Sequence, residues 1–185
     1  MKEYRLEEGK SVDSSKLVLE EDLPLEDWIK IHQSIPIPCH DIAIEYQGGI
    51  LLVNRNNLPA KNILWIMGGR MIRGLSTEES LRRRVKRECG LDLDKEIVEL
   101  GVSREYWQTD PFGHGKGTDT IGFVYFSRGY GDLSLDNLHN QPVIITPQDY
   151  TSEFRSSLHP RIAYFMDKSI SLVGKSLDGL KKIND

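Results

Sequence analysis

The spacing of apolar and polar residues predicts the first elements of the chain, a short helix followed by a β-hairpin. Apolar residues within 28–31 have helical spacing, and the two prolines in the segment SIPIPC that follows favour an extended backbone. Residues 41–46 then alternate between apolar and polar side chains, which is the pattern of a half-buried strand. Gly48-Gly49 leads from there into the apolar run 50–55, so the two segments are predicted to pair as a hairpin.

A longer helix is predicted at residues 77–89. Ser76 and Glu79 have the spacing of a capping box, in which the two residues satisfy each other's backbone N–H groups. Gly90 suits the left-handed conformation that commonly ends a helix. Apolar residues recur every four positions along one face, which is therefore predicted to be buried. They are Leu81, Val85 and Cys89.

The remaining pattern predicts more strands and a helical C-terminal segment. Residues 63–67 indicate a buried strand, which Gly68-Gly69 ends in a tight turn. Further strands are predicted near 96–107, 118–127 and 142–146, and helical patterning extends over 159–183. Mixed strands around one central helix indicate an α+β domain. The polar residues 1–22 are predicted to be an N-terminal extension, so the domain is assigned to residues 23–185.

Composition narrows the classes of function. The chain has 185 residues, of which 38% are hydrophobic and 28% charged, values that are ordinary for one globular domain. Its net charge of −4 argues against broad binding to nucleic acid or to an anionic membrane, because both require a positive field. No apolar stretch approaches the roughly 18 residues of a membrane span, and the N-terminus does not have the pattern of a signal peptide. With only two cysteines, a reducing cytoplasm is the expected compartment.

The segment from Trp65 to Leu91 is the most informative about catalytic function, because it matches about half of a known sequence motif. That motif is G-x5-E-x7-R-E-U-x-E-E-x-G-U, where U is aliphatic. The matching positions are Gly69, Arg83, Val85, Glu88 and Gly90-Leu91. Leu75, Arg84 and Arg87 stand where the full motif has glutamate. The chain therefore resembles the Nudix hydrolases, and the resemblance implies an α/β/α sandwich with a mixed central β-sheet and a loop–helix–loop catalytic motif.

A divalent cation is the cofactor that this resemblance implies. Hydrolysis of a pyrophosphate requires such a cation together with cationic side chains that point at the phosphate oxygens. Mg²⁺ prefers oxygen ligands, and it is the expected ion, with Mn²⁺ as an alternative. The Gly68 carbonyl and the Glu88 carboxylate are the predicted metal ligands. The usual cluster of three or four carboxylates is missing, so the site is expected to hold fewer metal ions.

The match outside the motif favours one branch of the family, the GDP-mannose mannosyl hydrolases. The run NRNNLPA, followed by Trp65 and GGR, resembles R-x-N-x-P-A…W…PGGR in that branch, and LHPRIAYF resembles the start of its C-terminal helix. These enzymes release a nucleoside diphosphate and free sugar, because water attacks the anomeric carbon. The expected partner is thus a small nucleotide sugar. The resemblance also implies a homodimer, although nothing in the residues requires one.

Roles for individual residues follow from the same resemblance. Arg70 and Arg55 would bind the departing diphosphate, whose oxygens suit the planar guanidinium fork. Asp41 begins a strand where the branch has an aspartate that contributes to catalysis. His139 lies in SLDNLHNQ, a predicted loop that resembles the one carrying the general base.

Two departures change the expected metal chemistry. Arg84 lies four residues before Glu88 on the same helix face, where it would form a surface ion pair or replace a metal ion and bind substrate. Leu138 stands where the branch supplies an amide ligand to the metal, so either metal affinity without substrate is weak or Asp136 or Asn140 takes over as the ligand.

Two other functions remain open from the sequence. A pyrophosphohydrolase would direct water to phosphorus, which usually calls on more metal ions. A non-catalytic nucleotide-sugar-binding module would keep the cationic residues but have no turnover.

Overall fold

A computed structural model of the chain describes Glu3 and residues 23–183. The predicted N-terminal extension, residues 1–22, lies outside the described residues apart from Glu3, so its boundary with the domain stays a prediction. The helices are α1 (Leu25–His32), α2 (Thr77–Cys89), α3 (Ser152–Ser157) and α4 (Pro160–Ile170). The strands are β1 (Ile37–Tyr46), β2 (Gly49–Arg55), β3 (Leu64–Trp65), β4 (Met67–Arg70), β5 (Asp92–Leu93), β6 (Val98–Trp107), β7 (Thr118–Tyr130) and β8 (His139–Ile145).

The eight strands form one mixed sheet with β1 at its centre. β1 pairs antiparallel with β2, as the hairpin prediction requires, and it also pairs antiparallel with β4. On its other side β1 runs parallel to β7 over nine paired positions, from Ile37–Thr120 to Glu45–Arg128. β8 extends the sheet from β2, and β6 extends it from β7. The parallel pair makes the sheet mixed, and this confirms the predicted α+β class.

One helix covers each face of this sheet, because neighbouring strand residues point to opposite sides. On β1, Ile42 and Ile44 pack with the predicted buried face of α2, whereas Ala43 packs with the other core. α4 covers that second core with Ile162, Phe165 and Met166. The arrangement is an α/β/α sandwich.

The start and end of α2 follow the sequence closely. The Ser76 side chain accepts from the Glu79 N–H, the Glu79 carboxylate accepts from the Ser76 N–H, and Gly90 ends the helix in the left-handed conformation with φ 74°. The position of the helix relative to the glycines before it is thus fixed by local chemistry.

The glycine pair before α2 corrects the sequence prediction. Gly68 and Gly69 do not break a strand in a tight turn, because both lie within β4 and pair with Asp41 and His40 of β1. Gly68 has φ 146°, and a Cβ there would lie 2.4 Å from an Asp41 carboxylate oxygen. Glycine is therefore required here by the close approach of β1, not by chain reversal.

Two predictions in the C-terminal third also need correction. His139 is not in a loop, since it begins β8 and pairs with Arg55 of β2. The helical pattern over 159–183 yields a helix only at Pro160–Ile170, and the apolar residues that follow pack on the core from turns. No helix in the described part of the chain is long and apolar enough to span a membrane.

Candidate active site

A cavity of about 320 Å³ opens where β4 and the end of β2 meet α1 and the loop between β6 and β7. Three predicted site residues with charged side chains line it together, although they come from three strands: Asp41 of β1, Arg55 of β2 and Arg70 of β4. Gly68 also lines it. Side chains separated widely in the sequence thus converge on one space that is large enough for part of a small-molecule ligand.

The strand β4 separates this cavity from α2. A Cβ at Gly68 would meet Asp41, and the Arg70 guanidinium lies 4.2 Å from the centre of the Trp28 ring, so both positions face the cavity side. A Cβ on Gly69, between them, would instead meet the Arg84 guanidinium of α2 at 3.7 Å. The alternation of side chains along a strand therefore assigns Arg70 to one side and Arg84 to the other.

Arg55 brings a guanidinium into a partly dehydrated environment. Its Nη2 donates to the Asn57 side chain at 3.3 Å, while its buried Nε has no hydrogen-bond acceptor among the described residues. Burial lowers the pKa of Arg55, and the negative charges of Asp41 and Glu88 offset that effect in part. An anion entering the cavity would supply the missing acceptor and the missing charge.

The floor of the cavity contains a buried ion network that joins α4 to the sheet. Arg161 of α4 contacts the Asp41 carboxylate at 2.6 Å and the Glu105 carboxylate at 2.6 Å, and it donates to Ser103 at 3.0 Å. Burial opposes the charged form of Arg161, but the two carboxylates outweigh burial and raise its pKa. Gly122 leaves the room for this network, because a Cβ there would lie 2.7 Å from Arg161 Nη2.

Glu88 lies on the helix side of β4 and does not line the cavity. The residue is only 4% exposed, and burial raises the pKa of its carboxyl to about 7, although Arg84 and the Gly68 amide lower it. Arg84 Nη1 donates to Glu88 Oε1 at 3.3 Å, and Arg84 Nη2 donates to the Arg70 carbonyl oxygen at 2.7 Å. The buried Glu88 Oε2 accepts no well-formed hydrogen bond from the described residues.

His139 is held by a neighbouring carboxylate. Its Nδ1 lies 2.7 Å from Asp136 Oδ1, and its side chain is largely buried beside Arg55 on the paired strand β2. When Nδ1–H donates to Asp136, the neutral ring keeps its lone pair on Nε2. The structure does not place His139 among the residues that line the cavity, so its role as general base stays a prediction.

Aromatic side chains form the walls of the cavity. On one wall, Trp28 of α1 and Phe112 of the loop 108–117 pack edge to face at 6.3 Å. On the other, Trp65 and Trp107 pack at 5.8 Å, and the Arg161 guanidinium lies 5.1 Å from the Trp65 ring. Flat apolar surfaces beside cationic groups are suited to a ligand that has both a ring and phosphate.

Solved structures share the fold of this chain. A MutT Nudix hydrolase from Burkholderia pseudomallei matches with a TM-score of 0.55 and 21% identity, over 72% of this chain and 98% of that one. A bifunctional NMN adenylyltransferase/ADP ribose pyrophosphatase from Francisella tularensis, in complex with AMP and a Mn ion, matches with a TM-score of 0.55 and 13% identity, over 81% of this chain and 45% of that one. The chain has the Nudix fold.

Among curated proteins, the chain is similar to the low-salt glycan biosynthesis protein Agl8 of Haloferax volcanii. The two are 26% identical over 149 residues, which are 78% of this chain and 89% of that protein. No family model matches the chain. The GDP-mannose mannosyl hydrolase branch of the Nudix proteins is not named by these comparisons and stays a prediction.

The residues around the Nudix helix, α2, do not fit a metal ion held by the protein alone. Residues 23–183 and Glu3 contain no group of three or more His, Cys, Asp or Glu side chains that could hold one. Glu88 offers a carboxylate, but its Oε1 is already engaged by Arg84. The assignment of Gly68 and Glu88 as metal ligands therefore stays a prediction that needs further ligands from elsewhere, such as substrate phosphates.

Two residues of this candidate site, Arg161 and Glu105, carried no role in the sequence analysis, and a third, Asp136, was named only as an alternative metal ligand. Arg161 lies within the LHPRIAYF match, but nothing in that motif showed that its side chain reaches Asp41. Glu105 sits on the predicted strand 96–107 without any motif, and Asp136 precedes His139 by three residues. For Asp136 the i, i+3 spacing to a histidine was the available signal.

Proposed function

We propose that this protein is a hydrolase that acts on a nucleotide sugar resembling GDP-mannose. Water attacks the anomeric carbon, the bond from that carbon to the phosphate oxygen breaks, and a nucleoside diphosphate and free sugar are released. The observation that carries the proposal is the convergence of Arg55, Arg70 and Asp41 on one cavity with aromatic walls. The similarity to a glycan biosynthesis protein is in keeping with a sugar nucleotide as the ligand.

The two arginines supply the main catalytic effect in this proposal. When the anomeric carbon–oxygen bond breaks, negative charge develops on the departing diphosphate, and preorganised cations stabilise that charge more than they stabilise the ground state. Arg55 is partly dehydrated, because its buried Nε finds no hydrogen-bond acceptor among the described residues. Arg70 is oriented by the Trp28 ring. Both can bind phosphate oxygens through a planar fork.

The remaining groups hold the sugar and activate water. Asp41 and Glu105 present carboxylate oxygens at the cavity, and ion pairs with Arg161 hold both of them in place. Sugar hydroxyls are natural donors to such acceptors. His139, aligned by Asp136, is proposed to accept the proton of the attacking water through Nε2.

Mg²⁺, with Mn²⁺ as the alternative, is the cation proposed to accompany the diphosphate of the substrate. Glu88 Oε2 and the Gly68 carbonyl are the protein oxygens proposed to face it. A homodimer also stays a prediction.

The position of attack can be read from the products. We expect incubation of nucleotide sugars with the protein and Mg²⁺ in H₂¹⁸O to give nucleoside diphosphate by ³¹P NMR, with the label in the sugar. Label in the nucleoside diphosphate would mean attack on the β-phosphorus. Formation of nucleoside monophosphate and sugar phosphate would identify a pyrophosphohydrolase instead.

Removing either a cavity arginine or the buried carboxylate is expected to slow turnover. Arg70→Gln and Glu88→Gln should each lower kcat at least about tenfold, or about 1.4 kcal/mol, because the first removes a cation proposed to bind the diphosphate and the second removes the carboxylate proposed to face the accompanying Mg²⁺. Arg73→Gln, which changes an exposed arginine three residues beyond Arg70, serves as the matched control and should leave kcat unchanged. Unchanged rates in both Arg70 and Glu88 variants would contradict the proposal.

The Arg84–Glu88 contact favours a second candidate, a nucleotide-sugar-binding module without turnover. An engaged carboxylate and the lack of a metal-ligand group in the described residues would both suit a protein that only binds. If calorimetry shows that a nucleotide sugar binds, and no product forms after prolonged incubation, the binding module is supported over the hydrolase.

A further inference from the structure

Arg84 makes two contacts that a hard cation could make. Its guanidinium lies between a backbone carbonyl oxygen, that of Arg70 at 2.7 Å, and a carboxylate oxygen, Glu88 Oε1 at 3.3 Å. Carbonyl and carboxylate oxygens are the ligand types that Mg²⁺ and Ca²⁺ take in proteins. A side-chain cation thus joins the end of β4 to the helix α2, beside the glycine strand.

The surroundings of Arg84 hold it in that position. Its side chain is 15% exposed, and the guanidinium lies over Gly69, where an added Cβ would be 3.7 Å from it. The Glu88 side chain, its ion-pair partner, is only 5% exposed. An ion pair this buried is costly to break by removing one member, so Arg84 is not free to leave when a divalent cation is offered.

Sequence position leads to the same assignment. Arg84 stands where the full Nudix motif has a glutamate, so one substitution exchanges a negative charge for a positive one beside Glu88. A carboxylate pair at 84 and 88 would attract a divalent cation, whereas the present pair is neutral overall. The described residues contain no group of three or more His, Cys, Asp or Glu side chains that could hold a metal ion there in its place.

We propose that the Arg84 guanidinium substitutes for a divalent cation held by the protein, so that a nucleoside diphosphate in the cavity meets a built-in positive charge from the other side of β4. The inference deepens the proposed function and rests on it for the identity of the ligand. Any divalent cation that takes part in the reaction then arrives with the diphosphate. The ligand-free protein has no divalent-cation site at Glu88.

The test restores the missing carboxylate and measures metal binding without any substrate. Mn²⁺ is titrated into the wild-type protein and into Arg84→Glu, and free Mn²⁺ is followed by electron paramagnetic resonance. We expect Arg84→Glu to bind Mn²⁺ at least tenfold more tightly than wild type. The double variant Arg84→Glu/Glu88→Gln should lose that gain, which locates the ion at Glu88.

Arg83→Glu is the matched control, because it makes the same charge change on an exposed neighbouring position of α2. Its Mn²⁺ affinity should remain within about twofold of wild type. The proposal is overturned when wild type binds as tightly as Arg84→Glu, or when Arg84→Glu gains no more than Arg83→Glu. These outcomes hold whether or not the protein hydrolyses nucleotide sugars, so they are separate from a failure of the proposed function.

Arg84→Gln provides a second measurement that does not require two acidic residues side by side. GDP binding is measured by calorimetry in EDTA and in Mg²⁺. Wild type should bind in EDTA, whereas Arg84→Gln should lose at least fivefold there and regain most of the loss in Mg²⁺. An equal affinity of the two proteins in EDTA would contradict the substitution of a guanidinium for a metal ion.

Discussion

Replacing Arg161 by methionine is expected to lower the free energy of unfolding by about 3 to 5 kcal/mol. The guanidinium contacts two carboxylates, Asp41 and Glu105, and its own residue is 8% exposed. Methionine would keep much of the apolar volume but would leave two negative charges close together without a counterion. Urea denaturation followed by circular dichroism measures the loss.

Arg155→Met is the matched control for that variant. Arg155 also forms a bidentate pair, with Asp167, but both side chains are well exposed, so removal should cost about 1 kcal/mol or less. Adding Asp41→Asn to Arg161→Met should recover part of the loss by removing one uncompensated charge. A cost for Arg161→Met that equals the cost for Arg155→Met would show that the network does not support the cavity floor.

His40 is expected to make the stability fall in acid by an amount on the order of 3 kcal/mol. The ring is fully buried, its Nε2 lies 2.6 Å from Ser80 Oγ, and burial lowers its pKa from 6.5 to about 4, with Arg84 acting in the same direction and the residue's own carbonyl opposing. His40 is thus protonated at a lower pH in the folded protein than in the unfolded chain. The stabilisation is complete above pH 6.5 and is lost as the pH falls toward 4.

The variant His40→Gln, which cannot titrate, should lack this component. Its free energy of unfolding, measured in urea between pH 4 and 8, is subtracted from that of wild type, and the difference should change between pH 6.5 and 4. Ser80→Ala keeps the imidazole and should keep the pH dependence while losing about 1 kcal/mol at every pH. Parallel curves for wild type and His40→Gln would contradict the assignment.

Much of the fold could be predicted from the sequence because its signals are local. The capping box and Gly90 set the ends of α2, and period-two alternation identified β1 and its hairpin with β2. The prediction of a turn at Gly68-Gly69 was wrong, because glycine is equally suited to a tight turn and to a close contact between strands. Only the pairing of Gly68 with Asp41 distinguishes the two, and that pairing is tertiary.

In the candidate site, too, residues at motif positions could be predicted from the sequence, whereas residues that depend on tertiary contacts could not. Arg55, Arg70 and Glu88 were predicted to serve one ligand. Arg55 and Arg70 line one cavity together with Asp41, whereas Glu88 lies on the other side of β4 and does not line it. Arg161 and Glu105 were not predicted, because their roles depend on α4 lying across β1 and β6. Arginine and glutamate at such positions are equally usual on an exposed surface, so no local pattern marks them.

The alternation along β4 has a consequence for the number of residues in that strand. Arg70 points into the cavity only because Gly69 takes the opposite side, against α2. Inserting or deleting one residue between Met67 and Arg70 would exchange the two faces, and the arginine would then point at α2. A change in the length of this strand should accordingly be tolerated far less than a change in the length of the loop 56–63, which can absorb an extra residue.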